Sequence, residues 1–120
     1  MNKSDFIEVL KQRTKQLAID VIHMYDKIQK TDATRIIGRQ LIRSVTSTAA
    51  NYRATCIARS QKEFFSRISI VVEEADETLF WLEILKEANF ASSETIDPLI
   101  NETLEILKIM SKARKNAGNN

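Results

Sequence analysis

Only two glycines and one proline occur in 120 residues, where average usage would give roughly eight and six. So few breakers exclude a turn-rich β sandwich or barrel, a glycine-rich phosphate loop and a flexible linker. Long helices remain. Apolar residues recur at spacings of three and four almost throughout, which is the helical period. With 43% hydrophobic and 28% charged residues, the chain is not a disordered tail and carries enough apolar surface for one core.

Four helices follow from the periodicity. The first is expected from about Asp5 to Gln29, with Phe6, Leu10, Leu17, Val21, Met24 and Ile28 on one face. Thr31 or Asp32 can cap the second, from about Ala33 to Ile57, with Ile37, Leu41, Val45, Thr48, Tyr52 and Thr55 inward. Gly38 lies inside it at a helix-propensity cost of roughly 1 kcal/mol, which points to a packing reason. Ser60-Gln61-Lys62-Glu63 is a capping-box sequence and opens the third helix, which ends near Ala88. Its inner face is Phe64, Ile68, Val71, Val72, Ala75, Leu79 and Leu82. The fourth starts near Ser92 or Asp97-Pro98, because proline suits a first turn, and points Ile100, Leu104, Leu107 and Ser111 inward. Short connections between long helices imply an all-α antiparallel up-down four-helix bundle over residues 1–115, with 116–120 a frayed tail.

Charge is unevenly spread around a net +2: residues 1–30 carry +2, 31–62 carry +5, 63–90 carry −5 and 91–120 carry 0. On the second helix Arg35, Arg39, Arg43 and Arg53 lie between about 120° and 200° from Leu41, opposite the core face, with the small Thr46, Ala50 and Ala54 between them. This face reads either as solvated surface or as a phosphate-binding strip. The third helix carries a mixed outer face of Ile70, Glu73, Glu74, Glu77, Phe80, Trp81 and Ile84, and the fourth points Leu99, Ile106 and Ile109 away from its main stripe. Surplus apolar stripes favour self-association over merely wide-faced helices. Two outward faces on adjacent helices of one chain are not expected to meet. The basic second helix of one subunit and the acidic third helix of the next are then complementary, and Ile70, Glu73, Glu74, Glu77, Trp81 and Ile84 form the expected interface of a closed ring.

Little in the chain supports catalysis. The one histidine, His23, lies about 140° from the Leu10 stripe and is expected to face solvent. A di-iron bundle needs two Glu-x-x-His pairs, and Leu17, Ala18 and Ile19 stand where a helical ribonuclease of the HEPN type carries an arginine. The carboxylates of the third helix lie on a continuous helix rather than in a calcium loop. The single cysteine, Cys56, excludes an intramolecular disulfide and reads as a small buried hydrophobe. No catalytic residue, metal or cofactor is therefore expected. Nothing near Met1 reads as a secretory leader and no apolar run spans a membrane, so a cytoplasmic protein with no membrane partner is expected.

Several stretches resemble the 23S rRNA intervening-sequence family, four-helix proteins related to the accessory variability determinants of diversity-generating retroelements. That family's second helix reads roughly Q-L-R-R-A-x-x-S-I-x-x-N-I-A-E-G. Gln40, Leu41, Arg43, Ser47 and Asn51 match it, and Ile42 replaces the first arginine. Arg59, Ser60, Glu63 and Phe64 match the next element, R-S-x-x-E-F, and Glu74-Ala75-Asp76-Glu77 with Trp81-Leu82-Glu83 follow the acidic third helix. The likeness spans about Arg13 to Met110; Tyr52-Arg53-Ala54-Thr55 departs from I-A-E-G and marks a subfamily. The resemblance implies a homopentamer, no catalytic site and a nucleic-acid role, with a reverse transcriptase as partner if a retroelement encodes the chain. The residues expected to meet RNA or DNA backbone, without sequence preference, are Arg35, Arg39, Arg43, Arg53, Arg59 and Lys62. The alternative is an assembly scaffold whose arginines are consumed by ion pairs.

Overall fold

The computed structural model describes residues 1–118, and every regular element among them is a helix: α1 Lys3–Lys27, α2 Asp32–Thr55, α3 Gln61–Glu87 and α4 Ser93–Gly118. The starts of α1, α2 and α3 are each set by a short polar side chain that satisfies an orphan N–H of the first turn. Asn2 Oδ1 accepts from the Asp5 amide at 2.9 Å, and Ser60 Oγ from Glu63 at 3.0 Å. Thr31 and Thr34 form a reciprocal capping box. Ser60 caps α3 as expected, but Glu63 reaches back one residue further than a capping box would, accepting from the Arg59 amide at 3.0 Å.

Two of the connections are built by specific chemistry. α3 ends at Asn89, which adopts a left-handed backbone (φ 64°) that asparagine tolerates better than most residues. Phe90 N then donates to Leu85 O (2.9 Å) and Asn89 N to Lys86 O (3.0 Å), the paired bonds of a Schellman stop, with Phe90 packed on the core. After α1, Lys30 Nζ donates to the Tyr25 and Ile28 carbonyls (2.6 and 2.7 Å) and lies 4.4 Å from the Tyr25 ring centre. The pinned ring occupies the space a Cβ at position 38 would need. This close approach is the packing reason for Gly38.

Connections of four or five residues between helices of 24 to 27 residues leave room only for antiparallel neighbours. Of the four helix pairs in contact, α2 and α3 share the most, then α3 and α4, then α1 and α2, and α1 and α4 the least. The molecule measures 46 × 26 × 19 Å. The starts of α1 and α3 and the ends of α2 and α4 meet at one end, where they enclose a common cavity.

The core holds Leu10, Leu17, Val21 and Met24 of α1, Ile37, Leu41, Val45 and Tyr52 of α2, and Ile68, Val71, Leu82 and Leu85 of α3. Several expectations need correction. α4 buries Ile96, Leu99, Thr103, Ile106 and Met110, whereas Leu104 and Ser111 are exposed and Ile100 and Leu107 half-buried. Both stripes obey the helical period, so spacing alone could not choose between them. Pro98 is the sixth residue of α4 rather than part of its first turn; it leaves the Glu94 carbonyl without its usual bond and the helix continues. Phe6 is 45% exposed at the rim of the cavity. The segment 116–118, expected to fray, is the last turn of α4: Ala117 is buried and its carbonyl accepts from Gln61 Nε2 at 3.1 Å. Residues 119–120 of the expected tail lie outside the described residues.

Gly38→Ala should lower stability by about 1–3 kcal/mol through overpacking against Tyr25, although alanine is the better helix former. In a Tyr25→Ala background the same substitution should become neutral or stabilising. Urea unfolding of the four proteins of this cycle checks it; an equal effect in both backgrounds would exclude the Tyr25 contact as the reason for the glycine.

Candidate nucleic-acid interface

The basic strip of α2 is not uniform once folded. Ser44 and Thr78 face each other in the core, hydroxyl to hydroxyl at 3.0 Å, so α2 and α3 approach closely. At the edge of that contact Arg43 donates to Glu74 Oε2 at 3.1 Å and to Glu77 Oε2, which also accepts from the Trp81 indole at 3.1 Å. The basic face of α2 and the acidic face of α3 therefore do meet within one chain, contrary to the sequence expectation. The helical wheel treats both arcs as outward, but the interhelical groove brings their near edges together. Arg43, Glu74, Glu77 and Trp81 are thus tied to one another. Ile70 and Phe80 remain 40% and 49% exposed and Glu73 is exposed at the same outer face, while Trp81 and Ile84 pack partly on the core.

The other predicted cations divide by position. Arg35 lies 3.8 Å from Asp32 and Arg59 4.0 Å from Glu63. Arg39, Arg53 and Lys62 are exposed and have no carboxylate within ion-pair distance among the described residues. Arg35, Arg39 and Arg43 belong to the first half of α2; Arg53, Arg59 and Lys62 lie at the opposite end, with the cavity.

Dividing every helix at its midpoint exposes a polarity that segment charges conceal. Residues 1–15, 44–74 and 106–118 form the half containing the cavity, with twelve Lys/Arg against five Asp/Glu, a net +7. Residues 16–43 and 75–105 form the other half, with six against eleven, a net −5. Each end combines two helix N-termini with two C-termini, so the macrodipoles largely cancel and the side chains set the polarity. Lys108, Lys112, Arg114 and Lys115 supply four of the twelve basic residues, and none was singled out from the sequence. The signal was present: all four carboxylates of α4 lie at or before Glu105 and all four of its cations at or after Lys108. Arg114 also lies 5.8 Å from the centre of the Phe65 ring, an aromatic 38% exposed at this pole.

The groups capable of chemistry are scattered. His23 is exposed on α1. Cys56 is half-buried beside Tyr52 rather than fully buried as expected, and burial raises the pKa of both side chains. No cluster of His, Cys, Asp and Glu among the described residues could hold a metal, and no described helix is long and apolar enough to cross a membrane.

The Arg43 clasp has a pH signature. Partial burial would by itself push the Glu77 carboxyl up, but the Arg43 hydrogen bond, the Trp81 bond and the guanidinium charge outweigh it and hold the carboxyl below its ordinary range. A depressed carboxylate contributes stability above its unfolded pKa of about 4.3 and loses that contribution as pH falls through the folded value. Glu77→Gln should therefore lower stability at pH 7 by ~1 kcal/mol or less, as befits a partly exposed pair, and the deficit should shrink towards pH 3. Urea midpoints at the two pH values measure it; a deficit independent of pH would assign the loss to packing.

The arrangement has relatives. A crystal structure of a protein with unknown function from the S23 ribosomal protein family of Bacteroides thetaiotaomicron VPI-5482 superposes with a TM-score of 0.79 at 28% identity, covering 88% of this chain and 98% of that one. No curated protein matches. The family model described as 23S rRNA-intervening sequence protein matches residues 8–112, which takes in most of α1, all of α2 and α3 and most of α4. The likeness carried by Arg43, Asn51, Arg59 and Ser60 thus extends to parts of all four helices, and the chain belongs to the 23S rRNA-intervening sequence protein family.

Proposed function

We propose that this protein is a non-enzymatic cytoplasmic accessory factor that holds RNA or DNA backbone against its basic pole, as a homo-oligomer. The observation that carries the reading is the charge segregation of +7 against −5 in a chain of net +2. Such a field steers a polyanion to one end and repels it from the other. Arg53, Arg59 and Lys62 are retained as backbone contacts, joined by Lys112, Arg114 and Lys115. Arg35, Arg39 and Arg43 lie in the acidic half, and Arg43 is committed to Glu74 and Glu77. The exposed rings of the basic pole, Phe6 and Phe65, lie on different helices, and one of them belongs to the rim of the cavity, which makes no base-reading platform, so contacts are to phosphate and insensitive to sequence. The family's link to an rRNA insertion favours RNA. The non-enzymatic part rests on the dispersal of His23, Cys56 and the carboxylates.

Self-association is argued from Ile70 and Phe80, apolar side chains left exposed on the outer face of α3. They are better probes of it than Glu77, whose partner is in its own chain. A ring, and five subunits in it, follow from the family resemblance.

Fluorescence anisotropy with a labelled RNA across a salt series tests the reading. Binding should weaken steeply as salt rises, because neutralised phosphates release counterions. Arg59→Glu with Lys62→Glu should reduce affinity for all sequences alike and flatten the salt slope, by ~0.7–0.9 for every phosphate that is no longer neutralised. Arg35→Glu with Arg39→Glu should do much less. Absence of binding at low salt, or equal losses in the two pairs, would leave the assembly scaffold as the function. Light scattering of Ile70→Lys with Phe80→Lys should show a smaller species than the unmodified chain; a monomer in both would remove self-association.

A further inference from the structure

The interior of the cavity at the basic pole has no part in the reading above, which shares with it only Lys112 at the mouth. It measures about 640 Å³, within the range of small-molecule sites and far larger than the packing voids of a domain this size. It exists because α1 and α4 touch least and because Phe6 stands at the rim instead of filling the space. Its floor is Leu10, Tyr52, Ile68 and Met110, all buried. Its side walls include Ile7, Phe64, Ile109 and Ala113.

The few polar atoms inside do not favour water or charge. The Thr55 hydroxyl is spent on the Asn51 carbonyl at 2.7 Å. Burial raises the pKa of the Tyr52 phenol and the Cys56 thiol, so both are neutral at pH 7. The mouth differs. Lys3 and Lys112 are exposed there and have no carboxylate within ion-pair distance among the described residues. The nearby carboxylates are largely answered: Glu8 pairs with Lys11 at 3.0 Å, and Glu63 with Arg67 at 3.0 Å. Asp5 lies in the first turn of α1, where its charge is balanced by the helix N-terminus.

A neutral apolar interior behind a positive mouth is complementary to one kind of molecule. We infer that the cavity is a binding site for a free linear monocarboxylic acid, its alkyl chain among Leu10, Phe64, Ile68 and Met110 and its carboxylate between Lys3 and Lys112. The site does not depend on the nucleic-acid reading, and either can fail alone.

Calorimetric titration of the full chain with dodecanoate, kept below its micellar concentration and without nucleic acid, tests it. Saturable binding of one molecule per chain is expected, with a negative heat-capacity change from apolar burial. Dodecyltrimethylammonium should bind about fivefold to tenfold more weakly at low salt, and the gap should narrow as salt rises. Ala113→Phe should abolish binding by occupying the cavity. Lys3→Glu with Lys112→Glu should reverse the head-group preference, a readout that loss of folding cannot imitate. The site is overturned if dodecanoate does not saturate the unmodified chain, or if the two head groups bind equally. It is also overturned if the lysine pair leaves the preference unchanged, or if phosphatidylglycerol vesicles bind while free dodecanoate does not.

Discussion

The close approach of α2 and α3 is the constraint on which the rest of the structure depends. It is made possible by side chains too small to hold the helices apart: Ser44 against Thr78, with Ala75 buried one turn away. Both hydroxyls are satisfied, Ser44 by the Leu41 carbonyl and Thr78 by Glu74, so the seam carries no unpaired polar atom. Closing it brings Arg43 onto Glu74 and Glu77, and Glu77 in turn takes the Trp81 indole. One small-residue contact thus brings Arg43 and its two carboxylates together within the chain, while Arg39, Arg53 and Lys62 stay exposed.

The same packing leaves the opposite seam slack. α1 and α4 make the sparsest of the four helix–helix contacts, and across that seam the Arg13 guanidinium holds Glu102 with two bonds of 2.7 and 2.9 Å near the middle of the bundle. The cavity lies between that clasp and the end of the bundle, with Phe6 and Ile7 of α1 and Ile109 and Ala113 of α4 among its walls. A bundle tight along α2–α3 and loose along α1–α4 is mechanically asymmetric. The cavity opens where that edge meets the basic pole, so apolar space and positive charge arise at one place.

How far the site could be read in advance differs from residue to residue. Arg53, Arg59 and Lys62 are close in sequence and remain so at one pole of the bundle, which is why segment charge found them. Lys112 and Arg114 join them from a distant part of the chain, across its return, and no local window contains that neighbourhood. A helical wheel has no neighbours, so it leaves Arg43 open between a free and a paired cation. Its loss to Glu74 and Glu77 depends on the groove between two helices. The α4 stripe shows the same limit: Ile96-Leu99-Thr103-Ile106-Met110 and Ile100-Leu104-Leu107-Ser111 are equally periodic, and only the position of α3 and α1 decides between them.

By itself the sequence determined what is local. Scarcity of glycine and proline, the apolar period, and the caps Thr31 and Ser60 establish four helices and most of their boundaries, because helix formation is governed by residues within a few positions of one another. Tertiary structure alone decided what depends on proximity between distant positions. It selected the buried face of α4, paired Arg43 across the helices, put a tyrosine ring against Gly38, gathered +7 of charge at one pole and opened a cavity there. The physical reason is range: backbone hydrogen bonds and caps act over three or four residues, whereas packing and electrostatics act over ångströms, whatever the separation along the chain.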